Sequence, residues 1–336
     1  MTYIVAAFLL PTYCFCQKKD SIFLYNGQVL IGDIKKVNLG VLTIDDIDLN
    51  MQNVKLYKIK ILKSTQEFRI ETMDKKIYFS TLHTTTKYGY VNIKSNDSLI
   101  SLHLTDINNM YFLGKKFSRR LDGNIGAGFS FSKSSGVGQL NLNAAASYIT
   151  KKFGTQETLS SLASIDSSRL SRDNENLELY NYYELNSRWI LVAYLSYQRN
   201  LELSIARRFQ EMVGVGNTIV SLDHIQLVLI SGIAVSQEKS TEKVESGPLF
   251  EIPAMMRLNF YKFKHPDLQI STNQAMYFSL TEKGRVRYNG TTNFSWELIN
   301  DFDLNINLYS SFDSKPPIGS ISKFDYGIVI GFSYKF

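Results

Sequence analysis

From residue 323 to the end of the chain, Phe324, Tyr326, Ile328, Ile330, Phe332, Tyr334 and Phe336 alternate without a break with Lys323, Asp325, Gly327, Val329, Gly331, Ser333 and Lys335. A period of two places all seven large apolar or aromatic side chains on one face of a strand and the charged and smallest ones on the other. The same alternation recurs upstream. Leu140, Leu142, Ala144, Ala146 and Tyr148 share a face, as do Leu177, Leu179, Tyr183 and Leu185, and Trp189, Leu191, Ala193, Leu195 and Tyr197. Further on, Phe250, Ile252, Ala254, Met256, Leu258 and Phe260 form one row, Val286, Tyr288, Thr292, Phe294, Trp296 and Leu298 another, and Phe302, Leu304, Ile306, Leu308 and Phe312 a third. No stretch after residue 120 has a helical period, so about twelve strands are expected from Leu121 onward, the third over residues 155–165.

So many strands with one apolar face match a membrane barrel, whose outer surface meets lipid and whose lumen is polar. Single-chain bacterial barrels use even strand numbers, which favours twelve. The connections at 151–152, 186–187, 221–224, 264–267 and 300–301 are short, whereas those at 166–174, 237–247 and 313–322 are longer and more polar. Short turns on one side and long loops on the other are the asymmetry of such a barrel. An aromatic final strand ending in Phe332, Tyr334 and Phe336 resembles the signal by which the barrel-assembly machinery of the outer membrane recognises its clients.

Residues 20–113 read differently. Here a repeat of about 48 residues is visible, the length of one small β unit. Phe23 to Gly27 with Val29, Ile31 and Ile34 lines up with Ile70 to Lys75 followed by Ile77, Phe79 and Leu82. Gly40 to Ile44 then matches Gly89 to Ile93, and Val54, Leu56 and Ile59 match Leu102, Leu104 and Ile107. Each unit predicts four strands with an Asn-Gly or Asp-Lys turn after the first, the economy of an SH3-like or Sm-like barrel. The expected fold class is therefore all-β: a small tandem β domain ahead of an antiparallel transmembrane β-barrel.

The 336 residues are 44% hydrophobic, 13% aromatic and 20% charged, with 21 Phe, 20 Tyr and 2 Trp. This excludes disordered and collagen-like chains, and alternation accounts for a soluble-looking average in a membrane protein. Residues 1–16 lack charge and contain the run Ile4 to Leu10, followed by Pro11 and small residues, which predicts a signal peptide. Both cysteines, Cys14 and Cys16, fall within it, so a chain starting at Gln17 has no thiol. The expected organisation is a signal peptide at 1–16, a periplasmic tandem domain at 17–114, a basic linker at 115–120 and a barrel at 121–336 in the outer membrane of a Gram-negative cell.

The net charge of +6 is uneven: residues 17–120 hold 17 basic and 10 acidic side chains. Lys115, Lys116, Arg119 and Arg120 precede the first barrel strand, where they are expected to meet lipid headgroups of the inner leaflet. No aromatic-flanked basic stripe points to nucleic acid. Inward-facing charges are expected at Glu251, Arg257, Arg285, Arg287, Glu297, Asp303, Asp313, Lys323 and Asp325. Both signs on neighbouring strands allow either a closed ion-pair network or a narrow water-filled path. Histidines are His83, His103, His224 and His265, and no hydrolase, zinc-binding or phosphate-loop motif is present, so neither an enzyme nor a metal or cofactor is expected.

The strand Leu121 to Phe129, the run Leu185 to Trp189 with Tyr197, Val213 to Gly216, and the closing stretch from Asp313 to Pro317 through Gly331 to Phe336 resemble the YdiY-like outer-membrane barrels, described as salt-induced proteins of unknown role. The resemblance spans residues 121–336 and implies a barrel without supplying catalytic residues. Two functions follow as expectations: a small-solute diffusion pore or transport component, and a structural or envelope-stress protein with a plugged barrel. In the second, residues 17–120 would bind a periplasmic partner or peptidoglycan.

Overall fold

A computed structural model describes residues 19–95, 98–114, 117–134, 136–166, 169–222, 224–263, 267–299, 302–320 and 322–334. The expected signal peptide, Lys115, Lys116, Phe336 and the side chain of Arg119 lie outside the described residues. Among the described residues the strands form two antiparallel sheets.

The first sheet has ten strands: β1 (Asp20–Leu24), β2 (Val29–Asn38), β3 (Val41–Asp46), β4 (Asn50–Lys55), β5 (Ile59–Lys63), β6 (Glu67–Thr72), β7 (Ile77–His83), β8 (Tyr90–Ser95), β9 (Ser98–His103) and β10 (Ile107–Phe112). The 48-residue repeat is visible in this order. Strands β1 to β5 with a 3-10 turn at Leu56–Lys58 are followed by β6 to β10 with the equivalent turn at Leu104–Asp106. Gly40 and Gly89, at φ +78° and +77°, occupy the same turn in the two units, and their carbonyls accept the amides of Leu56 and Leu104 at 3.0 and 2.9 Å. A left-handed backbone at these positions favours glycine. In each unit the first strand pairs with the last, and β10 pairs with β2 to join the units into one sheet. One core containing Ile22, Val37, Leu42, Phe68, Ile70, Ile93 and Met110 serves both. Each unit has five strands rather than the expected four. The step from Leu56 to Ile59 is three residues, and the 3-10 turn occupies it, so what reads as one strand is two.

After a single helical turn at Phe117–Arg120 come β11 (Leu121–Ser132), β12 (Val137–Ile149), β13 (Phe153–Asp166), β14 (Arg169–Glu184), β15 (Trp189–Asn200), β16 (Ile205–Leu222), β17 (Ile225–Ser240), β18 (Leu249–Lys262), β19 (Asp267–Ser279), β20 (Val286–Ile299), β21 (Phe302–Asp313) and β22 (Phe324–Tyr334). They form one twelve-stranded sheet in chain order. The apolar rows of the sequence lie on its convex face: Leu140, Leu177, Leu191, Phe250 and Phe332 are all exposed. The concave face curls until its own side chains meet. Arg257 on β18 lies over Tyr180 on β14, and Arg208 on β16 reaches Asp313 on β21. Among the described residues no ladder joins β11 to β22, and these strands form the two edges.

The stretch expected as a long loop at 166–174 is strand for most of its length. Leu170 pairs with Ile165 and Ser171 with Ser164, while Ser164 and Ser171 both donate to Asp173 at a bulge. Its polarity belongs to a ladder carried beyond the apolar belt. A transmembrane strand needs only about 9–11 residues, whereas β16 has 18 and β17 has 16.

Candidate functional site

The interior of the curled sheet is built from inward positions of β14 to β21. Near the long-loop end, Arg208 and Arg285 clasp Glu238, with Nε–Oε1 at 2.7 Å and NH2–Oε2 at 2.8 Å. Arg285 also donates to Asp313 at 2.6 and 3.0 Å. One layer further in, Arg287 is paired with Glu251 through two bonds and donates to Gln210 Oε1 at 3.0 Å. Arg208, Glu238, Glu251, Arg285 and Arg287 are all buried. Buried charges persist only when paired and hydrogen-bonded, and here each guanidinium fork meets carboxylate or amide oxygens. Together they bridge β16, β17, β18, β20 and β21 near the long-loop end of the interior.

Beyond this network is a cavity of about 460 Å³, lined by Asn176, Glu178, Tyr194, Gln210, Asn273 and Tyr277 among others. A second cavity of about 230 Å³ lies toward the short-turn end. Arg257 lines both, its guanidinium carbon 3.9 Å from the Tyr180 ring centroid. It forms a crossbar from β18 to β14 that separates the cavities.

The ten-stranded sheet is seated on the short-turn end. Lys36 pairs with Asp122 at the start of β11, Lys55 with Asp267 at the start of β19 and with Glu297 at 3.5 Å, and Arg69 with Glu184 at the end of β14. All three cations come from the first sheet and all four carboxylates from the rim of the second. Lys151–Glu67, at 3.2 Å, is an exposed contact of the opposite sense. Apolar contact reinforces the junction, since Leu39 and Met73 pack with Tyr261 and Phe263. Tyr261 Oη donates to Asn108 at 2.8 Å and Ser221 Oγ to the Met73 carbonyl at 3.1 Å. The 230 Å³ cavity is enclosed between the sheets, with Arg69, Asn109 and Tyr111 on one side and Gln156, Tyr182 and Gln226 on the other.

The residues singled out in the sequence fall at different places in the fold. Glu251, Arg285, Arg287 and Asp313 come together in the buried network, while Arg257 stands apart from it. Glu297 meets Lys55 at the capped rim, with Asp303 beside it in register. Asp325 is half-buried opposite Ser311, and Lys323 is exposed ahead of β22, its carbonyl accepting the amide of Asp313. Phe332 stacks on Phe302 at 5.8 Å on the convex face, and Tyr334 lies at 6.5 Å from the same ring. Arg120 donates to the carbonyls of Leu113 and Gly114 at 2.6 and 2.8 Å, which ties it to the linker. Sequence reasoning missed Arg208, Gln210 and Glu238 because their strands were not read for inward positions. It missed Lys36, Lys55 and Arg69 because docking of one sheet on another leaves no periodic trace.

The family model described as "Protein of unknown function, DUF481" matches residues 124–336. No curated protein matches the chain. Among solved structures, a NanC porin is similar at 8% identity and a TM-score of 0.37, covering 64% of this chain and 99% of its own. A bacterial polysaccharide outer-membrane secretin is similar at 10% identity and a TM-score of 0.36, covering 80% and 98%. With its match running through eleven complete strands and most of a twelfth, the chain belongs to the DUF481 family.

Proposed function

We propose that the protein is an outer-membrane barrel that admits small solutes and that residues 17–120 are a periplasmic cap holding its mouth shut. The observation that carries this reading is the polar interior cavity between two closures of different kinds. The outer closure is a buried network fixed by six ion-pairing side chains. The inner closure is a separate sheet held by Lys36, Lys55 and Arg69 on a carboxylate rim. A domain docked through a few ion pairs, two of them partly exposed and one, Arg69–Glu184, buried, and through a small apolar contact is the part that can move. In this reading the convex aromatic rows meet lipid, Phe332, Tyr334 and Phe336 address the assembly machinery, and the basic linker lies at the inner leaflet.

Liposome swelling tests it. Full chain reconstituted in vesicles should admit glucose slowly, and the Lys36→Glu, Lys55→Glu, Arg69→Glu variant should do so several-fold faster, because each former pair becomes a repulsion. Vesicles that swell no faster than empty ones with either protein, both shown to be folded, would overturn the pore reading and favour a plugged structural barrel.

A further inference from the structure

Arg257 differs from the other interior arginines. Arg69, Arg208, Arg285 and Arg287 each pair with a carboxylate, whereas among the described residues none lies within ion-pairing distance of Arg257. Its flat face is covered by Tyr180, and its N–H edge donates to no protein acceptor among the described residues. A guanidinium has five donors in a fixed plane, so a stacked face leaves an edge shaped for two parallel bonds to a carboxylate. Gln210 lines the same 460 Å³ cavity, 4% exposed, with its Oε1 taken by Arg287 and its side-chain amide beside the Tyr277 hydroxyl. The cavity falls within the range of about 300–1,000 Å³ typical of small-molecule sites.

The geometry points to a binding site for a small solute with one carboxylate and several hydroxyls, its carboxylate on the free edge of Arg257. Asn273, Tyr194 and Tyr277 line the same space and suit hydroxyl groups. Glu178, Glu202 and Asp325 also line it, Glu178 accepting from Asn176 at 2.9 Å. One uncommitted cation beside three carboxylates leaves room for a single negative charge and disfavours a doubly charged phosphate ester. This rests on the reading of the barrel as a solute path, since it places the site at the crossbar between the two cavities.

The test is calorimetric titration of the full chain, folded in detergent, with D-glucuronate, D-glucose and glucose 6-phosphate. Glucuronate should bind at least tenfold more tightly than either of the others. Arg257→Gln should remove most of that preference, and Arg257→Lys, which keeps the charge but not the fork, should retain part of it. Equal affinity of the wild-type chain for glucuronate and glucose would overturn the proposal whether or not the variants fold, as would an unchanged preference in folded Arg257→Gln. Because binding is read without passage, glucuronate binding in a chain that fails to swell liposomes would remove the pore and leave the site. Swelling without this preference would do the reverse.

Discussion

Glu238 is the residue on which the outer closure turns, because it bridges Arg208 and Arg285 at 2.7 and 2.8 Å and is more deeply buried than Asp313, which meets the same two arginines. Replacing one member of a buried ion pair leaves its partner uncompensated, at a cost of about 3–5 kcal/mol. Glu238→Gln should therefore destabilise the folded chain by about that amount in denaturant titration, and adding Arg208→Met should recover part of the loss. No change in the Glu238→Gln midpoint would mean that water already screens this cluster. Arg287 and Glu251 lie deeper, and the two hydrogen bonds between them give them less dependence on the rest. Much of this chemistry was legible residue by residue. Inward parity alone placed Glu251, Arg285 and Arg287 on the concave face. It could not distinguish the paired arginines from Arg257, because pairing depends on which strands face each other across the curl.

At the scale of elements, the rows of outward apolar residues were the clearest sign, since every strand crossing an apolar medium must repeat them. What the pattern hid were elements with no need of them. Strand β14 starts at Arg169 in a stretch rich in Ser, Asp, Asn and Glu, and its ladder with β13 depends on backbone pairing and the Asp173 bulge. The inward Tyr180, Tyr182, Tyr194 and Tyr277 likewise reverse the expectation of a polar inner face, because rings that span a narrow interior fill it better than short polar groups. The turn between β6 and β7 gives a prediction at this scale. Lys75, 9% exposed at φ +65°, has its ammonium pushed down to about 8, chiefly by burial; Glu71 opposes the shift and Arg188 of the second sheet adds to it. The folded chain thus binds fewer protons than the unfolded one between about pH 8 and the usual lysine value of 10.5. Holding the charge is costly below pH 8, and stability rises as pH climbs through that window. Wild type should gain melting temperature relative to Lys75→Met between pH 7 and 9.5; a difference independent of pH would contradict the placement of this turn against the second sheet.

At the scale of the molecule, a twelve-stranded curl in chain order and a two-unit sheet are joined end to end, and the junction has a sign: cations from the smaller sheet, carboxylates from the rim. Twelve is even, so β11 and β22 run antiparallel and can pair when the curl closes. The repeat and the strand number were legible in the sequence because each unit and each strand obeys a local period. Docking was not, because Lys36 and Asp122 are far apart in sequence and neither belongs to a periodic row. The central claim is that the smaller sheet closes a conducting interior. Single-channel recording in planar bilayers of the full chain, beside a chain beginning just before Leu121, tests it most directly. The account predicts rare or small conductance steps from the full chain and frequent, larger ones from the shortened chain. A folded, inserted barrel that is silent in both forms would contradict it.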